Sequence, residues 1–338
     1  MIKGILKELC ALPGVSGNEG PVREYIGARL RPFADEMITD SMGNLLLRVK
    51  GRRAPKQSVM LAAHMDEVGI IVTGITEEGY LRFDFVGGVD RRVVIGKRVS
   101  VGEKSLPGVI ALKAIHLTED GERKRVPPTK SLHVDIGCRT KAEAEALVSL
   151  GDTGCFDDRI EEFGEGFLRA KAIDDRIGCA VMIALIESGL PVDASFAFTV
   201  QEEVGCRGAV TAAFRLRPEL ALILEGTTAA DLPSQKGSEK VCAPGKGPVI
   251  PFMDGGAIYD RGLYRELTAL AEEKSIPWQT KTWISGGTDA SAVQKTACGA
   301  RVAAVSAAVR YIHSPSCVGC TEDFENMLRL VKAYLETL

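Results

Sequence analysis

The segment SVMLAAHMDE, residues 58–67, places a short apolar run directly before His64, Asp66 and Glu67. Other apolar runs of the chain also end in a histidine or in acids, and the residues at these ends are Asp174, Glu202 with Glu203, Glu225 and His313. Short apolar runs of this kind are typical of strands buried in a parallel sheet. Because the carboxyl ends of such strands meet in one crevice where ligands bind, the sequence predicts that these side chains converge there.

The order of elements in the second half of the chain predicts an α/β fold. A helix at 178–189 precedes strands at 195–200 and 220–224, and a final helix is expected to begin with Thr321 as its cap. This alternation is typical of an open sheet with helices on both faces, which is a three-layer α/β/α domain.

A different pattern occupies residues 68–165, where short alternating strands are separated by Gly and Pro. We interpret this range as an inserted β-rich domain. The main domain is then discontinuous and consists of residues 1–67 and 166–338.

The composition excludes several classes of partner. The net charge is -3, from 42 basic and 45 acidic side chains, so no strong field would attract nucleic acid or anionic lipid. Apolar stretches stay well below the roughly 20 residues that span a bilayer, and the pattern of an export signal is missing. We therefore expect a soluble, cytoplasmic protein.

Nine cysteines are scattered along the chain, and we interpret them as reduced thiols of a cytosolic protein. The pair Cys317 and Cys320 lacks the second pair that a zinc site of four thiolates requires. A loop is the favoured interpretation of this pair, and a redox or metal role is the alternative.

Several acids in one crevice repel each other and would become neutral unless a cation stabilised their charged forms. Two imidazoles with three carboxylates are typical ligands of zinc, cobalt or manganese, and one carboxylate can bridge two ions. The neighbours Glu202 and Glu203 offer one carboxylate as a base and the other as a ligand. The pattern predicts a site for two divalent metal ions.

Taken singly, each of these residues is more typical of a helix cap or an exposed rim than of a metal ligand. The combination favours the metal site, because two of only four histidines stand at this edge. The other two, His116 and His133, fall in the β-rich insert, where structural or surface roles are expected.

Several motifs in this order resemble the tetrahedral aminopeptidase family of two-metal metallopeptidases, which includes glutamyl aminopeptidases. The matching segments are AHMDEVG (63–69), AIDDR (172–176), QEEVG (201–205), GKGP (245–248), SGGTDA (285–290) and RYIHSP (310–315). The glycine-rich segment among them lacks the spacing of a phosphate-binding loop, and we expect it to let the backbone approach the substrate.

The resemblance implies roles for the metal ligands. His64 would bind one ion, Asp174 would bridge, and Glu203 with His313 would bind the other. At the fifth position the family usually has Asp, whereas this chain has Glu225. We keep Glu225 as a ligand, and Asp231 is the second choice, although its place before Pro233 favours a turn.

The resemblance also implies an activity and an assembly. Glu202 would act as the general base toward a metal-activated water that hydrolyses the N-terminal residue from a peptide, while Asp66 would orient the His64 ring. The inserted domain would resemble a β-barrel and assemble dimers, and these would form a hollow tetrahedral dodecamer that admits peptides.

Other activities remain open at this stage. A different two-metal amidohydrolase, such as a deacylase or carboxypeptidase, is one alternative, and a metal-binding assembly protein without catalysis is another. Some members of the family carry the name endoglucanase. Glycoside hydrolysis is less favoured, because that chemistry needs no histidine pair and only 6% of the residues are aromatic.

Overall fold

The computed structural model describes residues 1–157 and 159–338, and in it nine strands form one mixed sheet. In spatial order these strands are β1 (Glu36–Thr39), β2 (Leu45–Val49), β12 (Ala194–Thr199), β3 (Val59–His64), β13 (Leu220–Thr228), β14 (Arg301–Arg310), β15 (Cys317–Cys320), β11 (Phe167–Ala170) and β10 (Glu161–Phe163). The central strands β12, β3, β13 and β14 are parallel, and the flanking strands are antiparallel.

The register of the parallel strands aligns the polar residues at their ends. Thr199 at the end of β12 pairs with His64 at the end of β3. Ile223 of β13 pairs with Ala62 of β3, so Glu225 lies two residues further along, level with His64. The carboxyl ends of the central strands therefore meet at one edge of the sheet.

Helices cover both faces of the sheet. They are α1 (Ile2–Ala11), α2 (Gly20–Leu30), α5 (Ile173–Glu187), α6 (Arg207–Leu216), α7 (Arg261–Glu273), α8 (Ala290–Val293) and α9 (Thr321–Thr337). Alternate residues of β3 face opposite ways: Leu61 packs in the core with α1, α2, α5, α7 and α9, whereas Ala62 packs with α6 and α8. These layers confirm the predicted three-layer α/β/α architecture.

The other strands form a closed barrel. Its members, in order around the barrel, are β4 (Gly69–Ile75), β5 (Leu81–Val86), β8 (His133–Asp135), β7 (Leu106–Ala111), β6 (Arg98–Val101) and β9 (Thr153–Phe156), with the short helices α3 (Asp120–Arg123) and α4 (Lys141–Glu145) beside them. A separate apolar cluster that includes Ile70, Phe83 and Val134 fills its interior. The predicted barrel-like insert is confirmed.

The exact division into 1–67 with 166–338 and 68–165 stays a prediction. The barrel strands lie within the predicted insert, whereas β10, also inside that range, pairs with β11 in the large sheet.

Two predicted helix boundaries were wrong. The helix predicted at 178–189 runs from Ile173 to Glu187, and Gly189 after it has a positive φ of 78°, which is typical of a helix end. The last helix is preceded by Cys320 as its N-cap, and Thr321 is its first residue. The Thr321 hydroxyl instead donates a hydrogen bond to the Gly166 carbonyl.

The segment around Cys317 and Cys320 was predicted to be a loop and is a buried strand. It is held on both sides, because β15 pairs with β14 and with β11.

Glu225 was also expected just after its strand, but β13 continues to Thr228 and contains it. All nine cysteines are free thiols.

Among the helices of residues 1–157 and 159–338, none has the length and apolar character needed to cross a membrane. The predicted cytoplasmic location stays a prediction.

Candidate metal centre

The polar residues predicted to converge lie together at the carboxyl edge of the central strands. His64 ends β3, Glu202 and Glu203 follow β12, and Glu225 lies inside β13. His313 follows β14, and Asp174 lies at the start of α5, where the backbone dihedrals of Asp174 and Asp175 are not helical. Sheet topology therefore brings into one cluster side chains that are up to 249 residues apart in sequence, His64 and His313 being the extremes.

Asp174 lies between the two imidazoles. Its Oδ1 is 3.6 Å from His64 Nε2, and its Oδ2 is 3.7 Å from His313 Nε2. Glu203 Oε2 is 3.1 Å from the same His313 nitrogen. Contacts with Asp174 and Glu203 raise the pKa of His313 to about 11. One carboxylate thus faces both histidines from its two oxygens, which is the arrangement of a bridging ligand.

The remaining acids surround the His64 ring. Glu225 Oε1 is 3.3 Å from His64 Nε2, and Glu202 Oε2 is 3.9 Å from it. Ligand atoms of His64, Asp174 and Glu203 lie within 4.8 Å of one another. Side-chain rotations that move these atoms by about an ångström would place them at metal–ligand distances of roughly 2.0–2.2 Å from a common ion.

Asp66 connects this ring to the loop that carries the two glutamates. The carboxylate of Asp66 is fully buried and accepts hydrogen bonds from the Glu202 and Glu203 backbone N–H groups at 3.0 and 3.1 Å. The Ser16 hydroxyl donates to it at 2.6 Å. His64 Nδ1 lies 3.1 Å from the Asp66 carbonyl oxygen and 3.4 Å from its carboxylate.

Two residues that position the ligands were not identified from the sequence. The buried Asp175 accepts hydrogen bonds from the His64 and Gly178 backbone N–H groups, so it holds the end of β3 against the start of α5. Gly226 leaves room for Asp174, because a Cβ there would lie 2.9 Å from the Asp174 Cβ. The Asp doublet was visible in the sequence, but the close approach of Gly226 carried no sequence signal.

The electrostatics of the cluster fit a site built for cations. Burial raises the pKa of Glu202 to about 8, against the opposing charge of His64 and with the charges of Asp289 and Glu203 adding to the rise. Burial also raises the pKa of Glu225. Desolvated acids of this kind are stabilised in their charged forms when positive charge is placed among them.

One buried oxygen atom is direct evidence for an ion position in this cluster. Asp174 Oδ1 has no hydrogen-bond partner in the described part of the chain. A buried carboxylate oxygen without a partner costs free energy, and an ion at this position would satisfy it. Together with two imidazoles and further carboxylates, the donor set fits divalent zinc, cobalt or manganese.

A cavity of about 360 Å³ opens beside these ligands. Its lining includes Glu202, Glu203, Glu225, Asp254, Lys281 and His313. Lys281 is 7% exposed, and its ammonium donates to the Ser285 carbonyl at 2.9 Å. No sequence pattern had indicated a role for Lys281. The glycine-rich segment from Ser285 to Thr288 forms part of the wall, and its predicted approach to substrate stays a prediction.

A larger cavity of about 680 Å³ lies at the opposite end of β3, beside Val59. It contains none of the predicted ligands.

Asp231, the second choice for the fifth ligand, is paired with Arg310 through a contact of 2.8 Å to Nε. The barrel residues His116 and His133 belong to other elements and are outside the cluster.

Comparisons with known proteins identify the family of the chain. Residues 43–330 match the family model described as M42 glutamyl aminopeptidase. The chain is 33% identical to a lysyl aminopeptidase of Pyrococcus furiosus over 347 residues, covering 99% of this chain and 96% of the relative.

Solved structures are similar over nearly the whole chain. An aminopeptidase from the archaeon Desulfurococcus kamchatkensis superposes with a TM-score of 0.94 at 35% identity, covering 99% of this chain and 94% of the other. The TET1 peptidase of Pyrococcus horikoshii, which can assemble into a tetrahedron or a large octahedral shell, superposes with a TM-score of 0.87 at 34% identity over 100% of both chains. Because the family model, the relative and these structures agree with the motifs, the chain belongs to the M42 glutamyl aminopeptidase family.

Proposed function

We propose that the protein is a metal-dependent aminopeptidase that hydrolyses the N-terminal residue from peptides, with Glu202 as general base. The observation that carries this proposal is the position of Asp174, whose two carboxylate oxygens face His64 and His313 and whose buried Oδ1 has no partner among the described residues. The geometry fits one carboxylate between two metal positions.

In this proposal His64 and Glu225 hold one divalent ion, Glu203 and His313 hold the other, and Asp174 bridges them. Ions at these positions would supply Lewis acidity, which lowers the pKa of a water molecule and stabilises negative charge on the substrate carbonyl. The ligands are compatible with zinc, cobalt or manganese. Glu225 fits the fifth position because its Oε1 reaches within 3.3 Å of the His64 ring.

Glu202 supplies the proton transfer. Its carboxylate lines the cavity beside the ligands, where it can accept a proton from water and return it. A carboxylate oxygen of Glu202 accepts a proton from the attacking water and then donates it to the nitrogen of the leaving amine. Asp66 positions this residue by accepting a hydrogen bond from its backbone N–H.

The test is amino-acid release from a panel of peptides, free and N-acetylated, by metal-loaded and by chelated protein. The expected result is metal-dependent release of N-terminal residues from the free peptides alone. Cleavage of the acetylated peptides would favour the deacylase alternative, and release from the C-terminus would favour a carboxypeptidase. No cleavage by protein with two bound ions would favour the metal-binding assembly protein.

The same proposal includes a homo-oligomer, built from dimers and extending to a tetrahedral dodecamer. Several apolar side chains of the barrel region are exposed in the single chain, namely Val109, Ile115, Leu117, Leu147 and Leu150. Exposed apolar side chains of this size favour an interface between copies. The TET1 peptidase of Pyrococcus horikoshii, which this chain resembles in fold, forms closed shells.

A further inference from the structure

A second group of ligand-type side chains lies on the other side of Glu202 from the histidines. Ligand atoms of Glu202, Cys206 and Asp289 lie within 4.8 Å of one another. The Cys206 Sγ lies 3.3 Å from Glu202 Oε1 and 3.4 Å from the Thr288 carbonyl oxygen, and its single S–H can donate to either acceptor. Neither Cys206 nor Asp289 has a role in the proposed peptide hydrolysis.

Asp289 shows that this group is incompletely satisfied. The side chain is 1% exposed, and its Oδ2 accepts a hydrogen bond from the Thr199 hydroxyl at 2.5 Å. Its Oδ1 is buried and has no hydrogen-bond partner within residues 1–157 and 159–338. Burial raises the pKa of Asp289 to about 6. A buried carboxylate that lacks a partner on one oxygen is a position where a cation would relieve an unfavourable contact.

The site is accessible from the substrate cavity. Glu202, Cys206 and Thr288 all contribute to the wall of the 360 Å³ cavity, so an ion that enters with solvent can reach the thiol without opening the core. The combination of one sulfur and two carboxylate oxygens differs from the histidine-rich set on the other side. Thiolate ligands favour thiophilic divalent ions over magnesium or calcium.

We propose that Glu202, Cys206 and Asp289 form a third, inhibitory cation site that binds a thiophilic divalent ion such as zinc or cadmium. Binding forms a metal–sulfur bond and breaks the S–H bond of Cys206. The thiol proton leaves to solvent together with any proton carried by Glu202 or Asp289, so that both acids bind as carboxylates. An ion held by Glu202 occupies the lone pairs that accept the proton of water. Excess metal therefore inhibits peptide hydrolysis, and this inhibitory part rests on the proposed function.

The surroundings of the thiol agree with a cation at this point. Burial and the negative charges of Glu202 and Asp289 raise the pKa of Cys206. A divalent ion among these groups reverses the repulsion and stabilises all three anions together. Around a four-coordinate zinc, ligand atoms lie roughly 3.4–3.6 Å apart, so the observed 3.3 Å between Cys206 and Glu202 needs little adjustment.

The first test uses cobalt(II) chloride added to protein that already contains two zinc ions. The ligands proposed for the main centre carry only nitrogen and oxygen, so a sulfur-to-cobalt charge-transfer band in the near ultraviolet reports a cysteine ligand. We expect this band in the unmodified protein, its loss in Cys206→Ser and its retention in Cys298→Ser, which alters an exposed cysteine. Thermal unfolding of each variant checks that the fold is retained.

The second test is inhibition of peptide cleavage by excess zinc chloride. The half-inhibitory zinc concentration should rise at least about tenfold in Cys206→Ser and in Asp289→Asn, since each loses one ligand. Asp84→Asn, an exposed acid of the barrel, is the matched control for the second variant.

A cobalt band that persists in Cys206→Ser, or the absence of any such band in the unmodified protein, would overturn the proposal. Equal zinc inhibition in all variants would also overturn its inhibitory part. If the protein cleaves no peptide at all, the proposed hydrolysis fails, but the cobalt band still reports the cysteine site independently.

Discussion

Glu202 is fixed at both its backbone and its side chain. Its N–H donates to the Asp66 carboxylate, and its Oε1 accepts from the Cys206 thiol. Its Oε2 lies 3.9 Å from His64 Nε2. These contacts hold the carboxylate at the edge of the cavity, next to the ligands and separate from them.

Glu202→Gln should abolish proton transfer and preserve the metal ligands. We expect turnover of a cleavable peptide to fall about 10²–10⁴-fold, because the amide cannot accept the proton of water. The metal content of the purified variant, measured by mass spectrometry, should stay at the level of the unmodified protein. Glu36→Gln on the edge strand β1 is the control with unchanged turnover. Full activity of Glu202→Gln with both ions bound would remove Glu202 from its role.

The prediction for Gly226 depends only on the space between this residue and Asp174. A Cβ at this position would lie 2.9 Å from both the Cβ and the Oδ1 of Asp174, closer than side-chain contacts allow. Gly226→Ala should therefore displace the bridging carboxylate and weaken metal binding by about 10–100-fold, the range seen when groups that orient ligands are altered. Equilibrium dialysis against zinc measures the change.

The control for this substitution is Gly4→Ala in helix α1, where an added Cβ meets no atom within 4 Å. Equal zinc affinity in the Gly226→Ala and Gly4→Ala variants would show that Asp174 adjusts without loss or that it is not a ligand.

At the scale of elements, a buried ion-pair network joins the end of β3 to its neighbours. Glu67 contacts Lys171 at 2.6 Å and Arg176 at 3.4 Å, and all three side chains are buried. Arg176 also donates to the Leu9 carbonyl at the end of α1, and Lys171 donates to the Leu12 carbonyl. The network therefore connects α1, β3, β11 and α5 directly beneath the ligands.

Glu67→Gln removes the negative charge from this network and leaves two buried cations with weakened pairing. Breaking a buried pair in this way costs about 3–5 kcal/mol, which we expect as the fall in the free energy of unfolding. Urea-induced unfolding of metal-free protein measures it. Glu162→Gln, which breaks exposed pairs with Lys3 and Lys7, should leave the urea midpoint unchanged. Equal midpoints for both variants would contradict the structural role of Glu67.

The whole molecule combines a sheet domain that carries the ligands with a barrel that carries exposed apolar side chains. Ile115 is 73% exposed and Leu117 is 61% exposed. Exposing apolar side chains of this size to water is unfavourable, and contact with a second copy of the chain would bury them.

Charged substitutions at this surface should change assembly without changing the fold. For Ile115→Asp with Leu117→Asp, we expect light scattering after gel filtration to give a smaller species than the unmodified protein. Val210→Asp with Phe214→Asp on α6 changes two exposed apolar residues of the main domain and serves as the matched control. An unchanged particle mass in the barrel variant would contradict an interface at this surface.

The motifs identified the family, and the apolar runs indicated the α/β class and the convergence of His64, Asp174, Glu202, Glu225 and His313. These features could be predicted because apolar runs, and the polar residues that follow them, are local features of the sequence. The end of the helix α5 was placed two residues too late, and the strand β13 was predicted too short, because packing partners far along the chain set such boundaries.

The pattern of residues along the chain thus contained the fold class, the family and the set of polar groups at the sheet edge, since each leaves a local signature. The three-dimensional arrangement added what has no local signature. Asp174 faces both histidines, Gly226 leaves space for it, and Cys206 lies beside Asp289 only because separate elements pack against one another. Distances between groups from distant segments follow from long-range packing, which the order of residues does not display.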